Sequence, residues 1–235
     1  MAISTFKYRG KDFSFEVQNP LDEVQNFHLN GKFYEQDFLE CTSKYIPRCG
    51  CIVDVGANVG NHTIWYIKNL DIATVVAFEP HPTARQLLRT NLELNGLLGL
   101  KNKYGGDYIS EYHISENLAL GDEPKQTYIR TPYPDNLGGS YLCGDGDYKV
   151  KQVRFDDVWG IETQIDFVKI DVEGMEFEVL KGFSNTIPKW RPSIAVEIHQ
   201  GNKEKLYAWI KENQYYIVDV FIMYRDVYNY ILLPW

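Results

Sequence analysis

No stretch of this chain approaches the roughly 18 uncharged apolar residues that a membrane span needs, and residues 1–11 contain no apolar signal-like core. A membrane span is therefore not expected, and the reading for location is cytoplasmic. Basic residues are also in deficit: 24 Lys and Arg face 32 Asp and Glu, a net charge of −8 with no basic stripe. That balance argues against a nucleic-acid partner, which would demand clustered positive charge. Cysteine is sparse. Cys41, Cys49, Cys51 and Cys143 form neither a C-x-x-C pair nor a dense disulfide framework, so reduced thiols are expected. Internal repeats and low-complexity tracts are missing too. At 235 residues the chain is long enough for a large core, and one domain over residues 1–235 is expected.

The most informative segment is Ile52-Val53-Asp54-Val55-Gly56-Ala57-Asn58-Val59-Gly60-Asn61-His62-Thr63, where an apolar run ends in Asp-x-Gly and breaks into a helical pattern. This reads as a strand, a tight glycine turn and a helix. Glu79 ends the next apolar run, 23 residues after Gly56, where a dinucleotide-type fold places the acid that binds a ribose hydroxyl. Two such strand ends imply an adenosine site. A pyrophosphate favours G-x-G-x-x-G without a nearby anion, whereas Asp54 lies two residues before Gly56 and the glycine spacing is Gly56-x-x-x-Gly60. A carboxylate there repels phosphate but suits the amino group and sulfonium of S-adenosylmethionine.

Along the chain, residues 3–9 and 12–18 read as a hairpin and residues 35–46 as a helix stopped by Pro47. Strand 51–55 then leads to helix 61–69, and strand 74–79 to helix 82–95, opened by Pro82 and closed by Asn95-Gly96. A strand at 114–120 follows. Strand 165–171 leads to helix 175–182 and strand 193–198 to helix 203–213, with 215–222 and 227–233 closing as an antiparallel pair. The expected fold is α/β: a doubly wound, mostly parallel, seven-stranded Rossmann-like sheet with right-handed crossovers. Residues 1–47 form an N-terminal hairpin and helix extension. Residues 121–157, punctuated by proline and glycine, read as an inserted hairpin before the fourth strand, either a lid or a plain surface hairpin.

The block Phe167-Val168-Lys169-Ile170-Asp171-Val172-Glu173-Gly174 delivers Asp171 and Glu173 to a strand end beside the first strand, at the switch-point crevice. Glu197 and His199 end the following strand. Together the four make a candidate general-base cluster, with Asp171 favoured as base or base-orienting group. The competing explanations are a helix-terminal acid for Glu173 and a solvated strand-end residue for His199. Oxygen and imidazole ligands of this kind also suit a divalent cation, but the pattern does not specify one, and none is assigned.

Five ordered blocks, from Val53-Asp54-Val55-Gly56-Ala57-Asn58 through Ala77-Phe78-Glu79-Pro80-His81-Pro82, Asn117-Leu118-Ala119-Leu120-Gly121-Asp122 and Phe167 to Glu176, to Arg191-Pro192-Ser193-Ile194-Ala195-Val196-Glu197-Ile198-His199, resemble the FkbM family of S-adenosylmethionine-dependent methyltransferases. The resemblance implies a class I methyltransferase fold and methyl transfer, usually to a hydroxyl of a sugar, glycan or secondary metabolite. It implies that Asp54, Gly56, Ala57, Asn58, Gly60 and Asn61 line the methionine half of the cofactor, that Glu79 with Pro80 holds the ribose end, and that His81, Asn117 and Ala119 lie near the adenine. Tyr34 and Glu35, with Asn136, Gly138, Gly139 and Ser140, resemble family blocks read as walls of the acceptor pocket. The implied cofactor is S-adenosyl-L-methionine and the partner a small-molecule or glycan acceptor, on a monomer or homodimer. An NAD(P)-dependent oxidoreductase or epimerase of the Rossmann type is the alternative, disfavoured by the missing third glycine and the lack of an evident Tyr-x-x-x-Lys helix.

Overall fold

The computed structural model describes residues 2–99, 118–160 and 163–235. The chain opens with the hairpin β1 (Ala2–Tyr8) and β2 (Lys11–Val17), joined by Arg9 and Gly10. Both turn residues have positive φ, the backbone of the two-residue turns that match strand twist. Helices α1 (Glu23–Leu29) and α2 (Gln36–Thr42) follow, the second running into a 3-10 turn at Ser43–Tyr45. The first was not expected from the sequence, since seven residues are too few to show a period. Asp22 starts it by accepting from the Gln25 N–H.

Next come β3 (Gly50–Val55), α3 (Asn61–Asn69), β4 (Ile72–Phe78) and α4 (Pro82–Leu94). The middle of the chain holds β5 (Leu118–Leu120), β6 (Lys125–Arg130), β7 (Tyr141–Cys143) and β8 (Tyr148–Val153). A short α5 (Phe155–Val158) leads to β9 (Phe167–Ile170), α6 (Glu176–Gly182), α7 (Thr186–Trp190) and β10 (Ser193–His199). The chain closes with α8 (Lys203–Asn213), β11 (Tyr215–Tyr224) and β12 (Val227–Pro234).

The main sheet has the order β11-β12-β10-β9-β3-β4, with β10, β9, β3 and β4 parallel and the terminal hairpin antiparallel. Buried on both faces, these parallel strands read as near-continuous apolar runs, interrupted by Asp54 and Lys169. The expected seven-stranded sheet is corrected to six. Strand β5 leaves it because Leu118–Leu120 pairs in parallel with Lys151–Val153 of β8, in a second sheet ordered β5-β8-β6-β7. The insertion thus competes for the edge of β5, and the buried Gln152 side chain fills the space a Cβ at Gly121 would need. The part of the expected strand at 114–117 lies outside the described residues. No helix among the described residues is long and apolar enough to cross a membrane, and all four cysteines are free.

The N-terminal hairpin is part of the main core. Phe13, Phe15 and Phe33 are buried against Trp65 of α3, with rings meeting edge to face at 4.8–5.9 Å. The free edge of β2 is occupied by amide side chains of α4. Asn91 accepts from Glu16 N–H at 2.7 Å and donates to the Val59 carbonyl at 2.8 Å, while Asn95 brackets Ser14 on both its N–H and its C=O. One helix thereby holds the hairpin and the glycine turn in register. Replacing the fully buried Asn91 by Leu strands two backbone groups and is expected to cost about 2–4 kcal/mol of stability. Urea denaturation checks this, and an unchanged midpoint would show the amide to be dispensable.

Candidate active site

A cleft of about 340 Å³ opens at the carboxyl ends of β3, β4, β9 and β10. Its floor is the glycine turn. Gly56 and Ala57 donate to the Phe78 carbonyl, and Gly56 has φ +77° with its Cα so close to the Asp171 carbonyl that any Cβ would overlap it. Asn58, also at positive φ, donates its N–H to Glu79 Oε2 at 2.8 Å, and His81 N–H donates to Oε1 at 2.7 Å. Burial pushes the Glu79 carboxyl up to about 7, against the pull of these two N–H groups. Asn58 keeps a buried Oδ1 with no hydrogen-bond partner. His81 caps α4 through Nδ1, which leaves Nε2–H to donate to Thr131 Oγ1 at 3.1 Å.

Behind the turn lies a residue that the sequence reading quoted but gave no role. Lys169, buried in β9, sits opposite Asp54 in the strand ladder. Its Nζ donates to the Gly56 carbonyl at 2.9 Å and lies 3.2 Å from Asp171 Oδ2 and 3.6 Å from Asp54 Oδ1. Burial lowers its pKa, but Asp171 and Asp54 more than reverse this, so the net shift is upward and the ammonium keeps its charge. A lone lysine inside an apolar strand, bracketed by acids, was the available signal.

Asp171, Glu173 and Glu197 converge as expected. One carboxylate oxygen from each lies within 4.8 Å of the others, a spacing that could hold a cation. Burial, then the charges of Asp171 and Glu173, pushes Glu197 up to about 10. Burial, then Asp171, pushes Glu173 up to about 7. Because Glu173 is exposed, the Asp171 charge is the firmer cause there. Its backbone is left-handed at φ 53°, followed by Gly174 at φ 98°, a strained turn of the kind found where a side chain is held to a purpose. His199 does not join them. It is exposed past the end of the parallel ladder, and its Nδ1 turns back to accept from Gly201 N–H.

Other expected residues divide in the same way. Gly56, Asn58, Glu79, Pro80, His81 and Ala119 line the cleft. Asp54, Ala57, Gly60 and Asn61 do not; they build the turn from behind. Asp54 accepts from Thr63 Oγ1 at 2.5 Å, and a Cβ on Gly60 would meet Leu88. Asn61 is committed to His28 Nε2 at 2.9 Å and to the Tyr34 backbone through both amide atoms. Asn117 lies outside the described residues. Of the expected acceptor wall, Tyr34, Asn136, Gly138, Gly139 and Ser140 line the cleft, whereas the Glu35 carboxylate is buried on His62 Nε2 at 3.0 Å. The 136–140 loop is anchored by Asp22, whose Oδ2 accepts from Leu137 N–H at 2.9 Å while Oδ1 caps α1. Glu23 and Tyr224 also line the cleft, and no local motif announced either.

The family model described as the methyltransferase FkbM domain matches residues 54–218. The methyltransferase sdnD of Sordaria araneosa is 28% identical over 185 residues, covering 63% of this chain and 69% of that protein. The hexuronic acid methyltransferase AglP of Haloferax volcanii is 28% identical over 169 residues, covering 71% of this chain and 63% of that protein. A crystal structure of methyltransferase FkbM from Methylobacillus flagellatus shares the fold, with a TM-score of 0.54 and 17% identity over 88% of this chain and 52% of that one. The match begins at Asp54, so the N-terminal hairpin, α1 and the Tyr34 loop fall outside it, as does the end of β11. With its glycine turn and following helix, its acid-tipped second strand and its carboxylate cluster all inside the matched span, the chain belongs to the FkbM methyltransferase family.

Proposed function

We propose that this chain moves the methyl group of S-adenosyl-L-methionine to a hydroxyl oxygen of a sugar, glycan or secondary metabolite. The observation that carries the reading is a single cleft with Glu79 at one end and Asp171, Glu173 and Glu197 at the other. The cofactor end fits. Glu79 has its carboxylate oriented by two backbone N–H groups, with lone pairs left for a ribose diol, and Asn58 offers an unpartnered buried acceptor. Phe78, Leu120 and Ile129 supply apolar surface for a base. S-adenosylmethionine supplies an electrophilic methyl on a sulfonium.

At the acceptor end, Glu173 is the best matched general base, because a base works best when its pKa lies near the operating pH. It takes the hydroxyl proton as the oxygen forms its new bond to carbon and the carbon–sulfur electron pair stays with sulfur. Asp171, held by Lys169 at 3.2 Å, lies beside Glu173 and raises its affinity for the proton. Burial and the charges of Asp171 and Glu173 favour the protonated form of Glu197 beside them. Alignment of the two reactants accounts for much of the remaining acceleration. The acceptor's oxygen chemistry agrees with the hexuronic acid named for AglP, a sugar whose nucleophiles are oxygens.

Two outcomes test this. Glu79→Gln is expected to weaken S-adenosylmethionine binding by about 1–3 kcal/mol. Wild-type affinity should be full above pH 7 and fall below it, as Glu79 takes up a proton at about 7. Calorimetric titration of both proteins on either side of neutrality measures this, and equal affinities would remove Glu79 from the site. In the second test, turnover at saturating cofactor should rise with pH to about 7 and then level, since the base acts ionised. Glu173→Gln should lose roughly 10²–10⁴-fold and flatten that limb. A variant that retains the wild-type profile would pass the role to Asp171.

A further inference from the structure

The outer wall of the acceptor end is built from residues beyond the matched span. Glu23 begins α1, Tyr34 precedes α2 and Tyr224 ends β11. The three form a hydrogen-bonded chain at the cleft mouth. Tyr224 Oη donates to Glu23 Oε2 at 2.6 Å, and the Tyr34 and Tyr224 hydroxyls lie 2.8 Å apart. The direction of this chain is fixed by chemistry. A carboxylate can only accept, so the Tyr224 proton is spent on Glu23, and the bond between the tyrosines must use the Tyr34 proton. Both phenols are held protonated, Tyr34 chiefly by burial and Tyr224 by burial and then by its bond to Glu23. What the rim has left to offer is therefore lone pairs: those of Tyr34 Oη, Tyr224 Oη and the Glu23 carboxylate.

The charge of the cleft points the same way. Glu23, Glu79, Asp171, Glu173 and Glu197 line it, and no lysine or arginine does among the described residues. Lys169, the cation closest to the acid cluster in the contacts above, is spent on Asp54, Asp171 and the Gly56 carbonyl. An anionic acceptor would meet carboxylates at the inner end and pure acceptors at the rim. A hydroxyl or ammonium group would find partners at both.

We propose that the Glu23–Tyr224–Tyr34 rim selects the methyl acceptor, reading its O–H or N–H donors and restricting transfer to neutral or amino-bearing polyols that carry no anionic group. This rests on the methyltransferase reading above and narrows its substrate class. It separates this chain from AglP, whose named acceptor is a uronic acid. Glu23, Tyr34 and Tyr224 lie outside residues 54–218, the span that the family model matches.

The test uses the full chain saturated with S-adenosylmethionine, or with S-adenosylhomocysteine for binding, in the presence of a chelator so that no added cation masks the carboxylates. Three probes share one ring: a methyl hexoside, the matching 2-amino hexoside and the matching methyl hexuronide. Calorimetry reads binding and S-adenosylhomocysteine release reads transfer. The hexuronide is expected to be at least tenfold poorer than the other two. Glu23→Gln should narrow that gap at least threefold, and Tyr224→Phe should weaken the neutral hexoside, with cofactor affinity reporting that each variant is folded. A hexuronide equal to or better than the hexoside, a gap unchanged in both variants, or no binding of any probe to the loaded chain would overturn the proposal. Failure of the wild-type chain to bind S-adenosylmethionine would instead strike the function on which it rests.

Discussion

A buried ammonium between two carboxylates organises this fold around its cleft. Lys169 ties two strand ends together: Asp54 on β3 with the carbonyl of the glycine turn that follows it, and Asp171 just beyond β9. Breaking a buried pair of this kind by removing one member costs about 3–5 kcal/mol, because the partner charge stays desolvated. Here two carboxylates would be left facing each other. The turn at Gly56 can run so tightly against the Asp171 carbonyl because the lysine draws β3 and β9 together at that level.

The same ion group sets the protonation of everything in front of it. Asp171 is compensated by Lys169, while Glu173 and Glu197 share the resulting negative field without a cation of their own among the described contacts. Burial, and then this field, raise the proton affinity of Glu173 and Glu197. Three chemically similar side chains sit in three different surroundings, Asp171 beside the ammonium, Glu197 half-buried and Glu173 exposed. The Glu79 end of the cleft follows a different logic, since Glu79 is raised chiefly by burial and is steadied by backbone N–H groups.

The parallel core was legible in the sequence because strands buried on both faces leave near-continuous apolar runs, and because Pro82 and Asn95-Gly96 punctuate α4 where they stand. Strand and helix bounds in that region agree with the sequence reading to within about two residues. The partner of β5 was not legible: Leu118–Leu120 carries no mark of which edge it will take, and the choice fell to β8, some 30 residues later. Asn61 shows a second kind of blindness. Its local string is the same whether the amide faces a ligand or a backbone, and the answer came from His28 and Tyr34, 33 and 27 residues away. His199 and Glu197 share a strand face by spacing, yet the parallel ladder ends at Val196, before both, and the ring of His199 folds back on Gly201. The rim residues Glu23 and Tyr224 come from opposite ends of the chain, 201 positions apart, and only packing of the N-terminal segment against the last hairpin brings them together.

Asn61 also joins two segments whose behaviour would otherwise be independent. It stands three residues after Asn58 on the cofactor turn, and both atoms of its amide are spent on the Tyr34 backbone. Whatever tightens the turn also tightens the loop that carries Tyr34. Linkage of this sort is reciprocal, so a ligand resting on either segment lowers the ordering cost met by a ligand on the other. Under the proposed two-substrate reaction, that reciprocity would make cofactor and acceptor synergistic through a single amide, with no moving domain required.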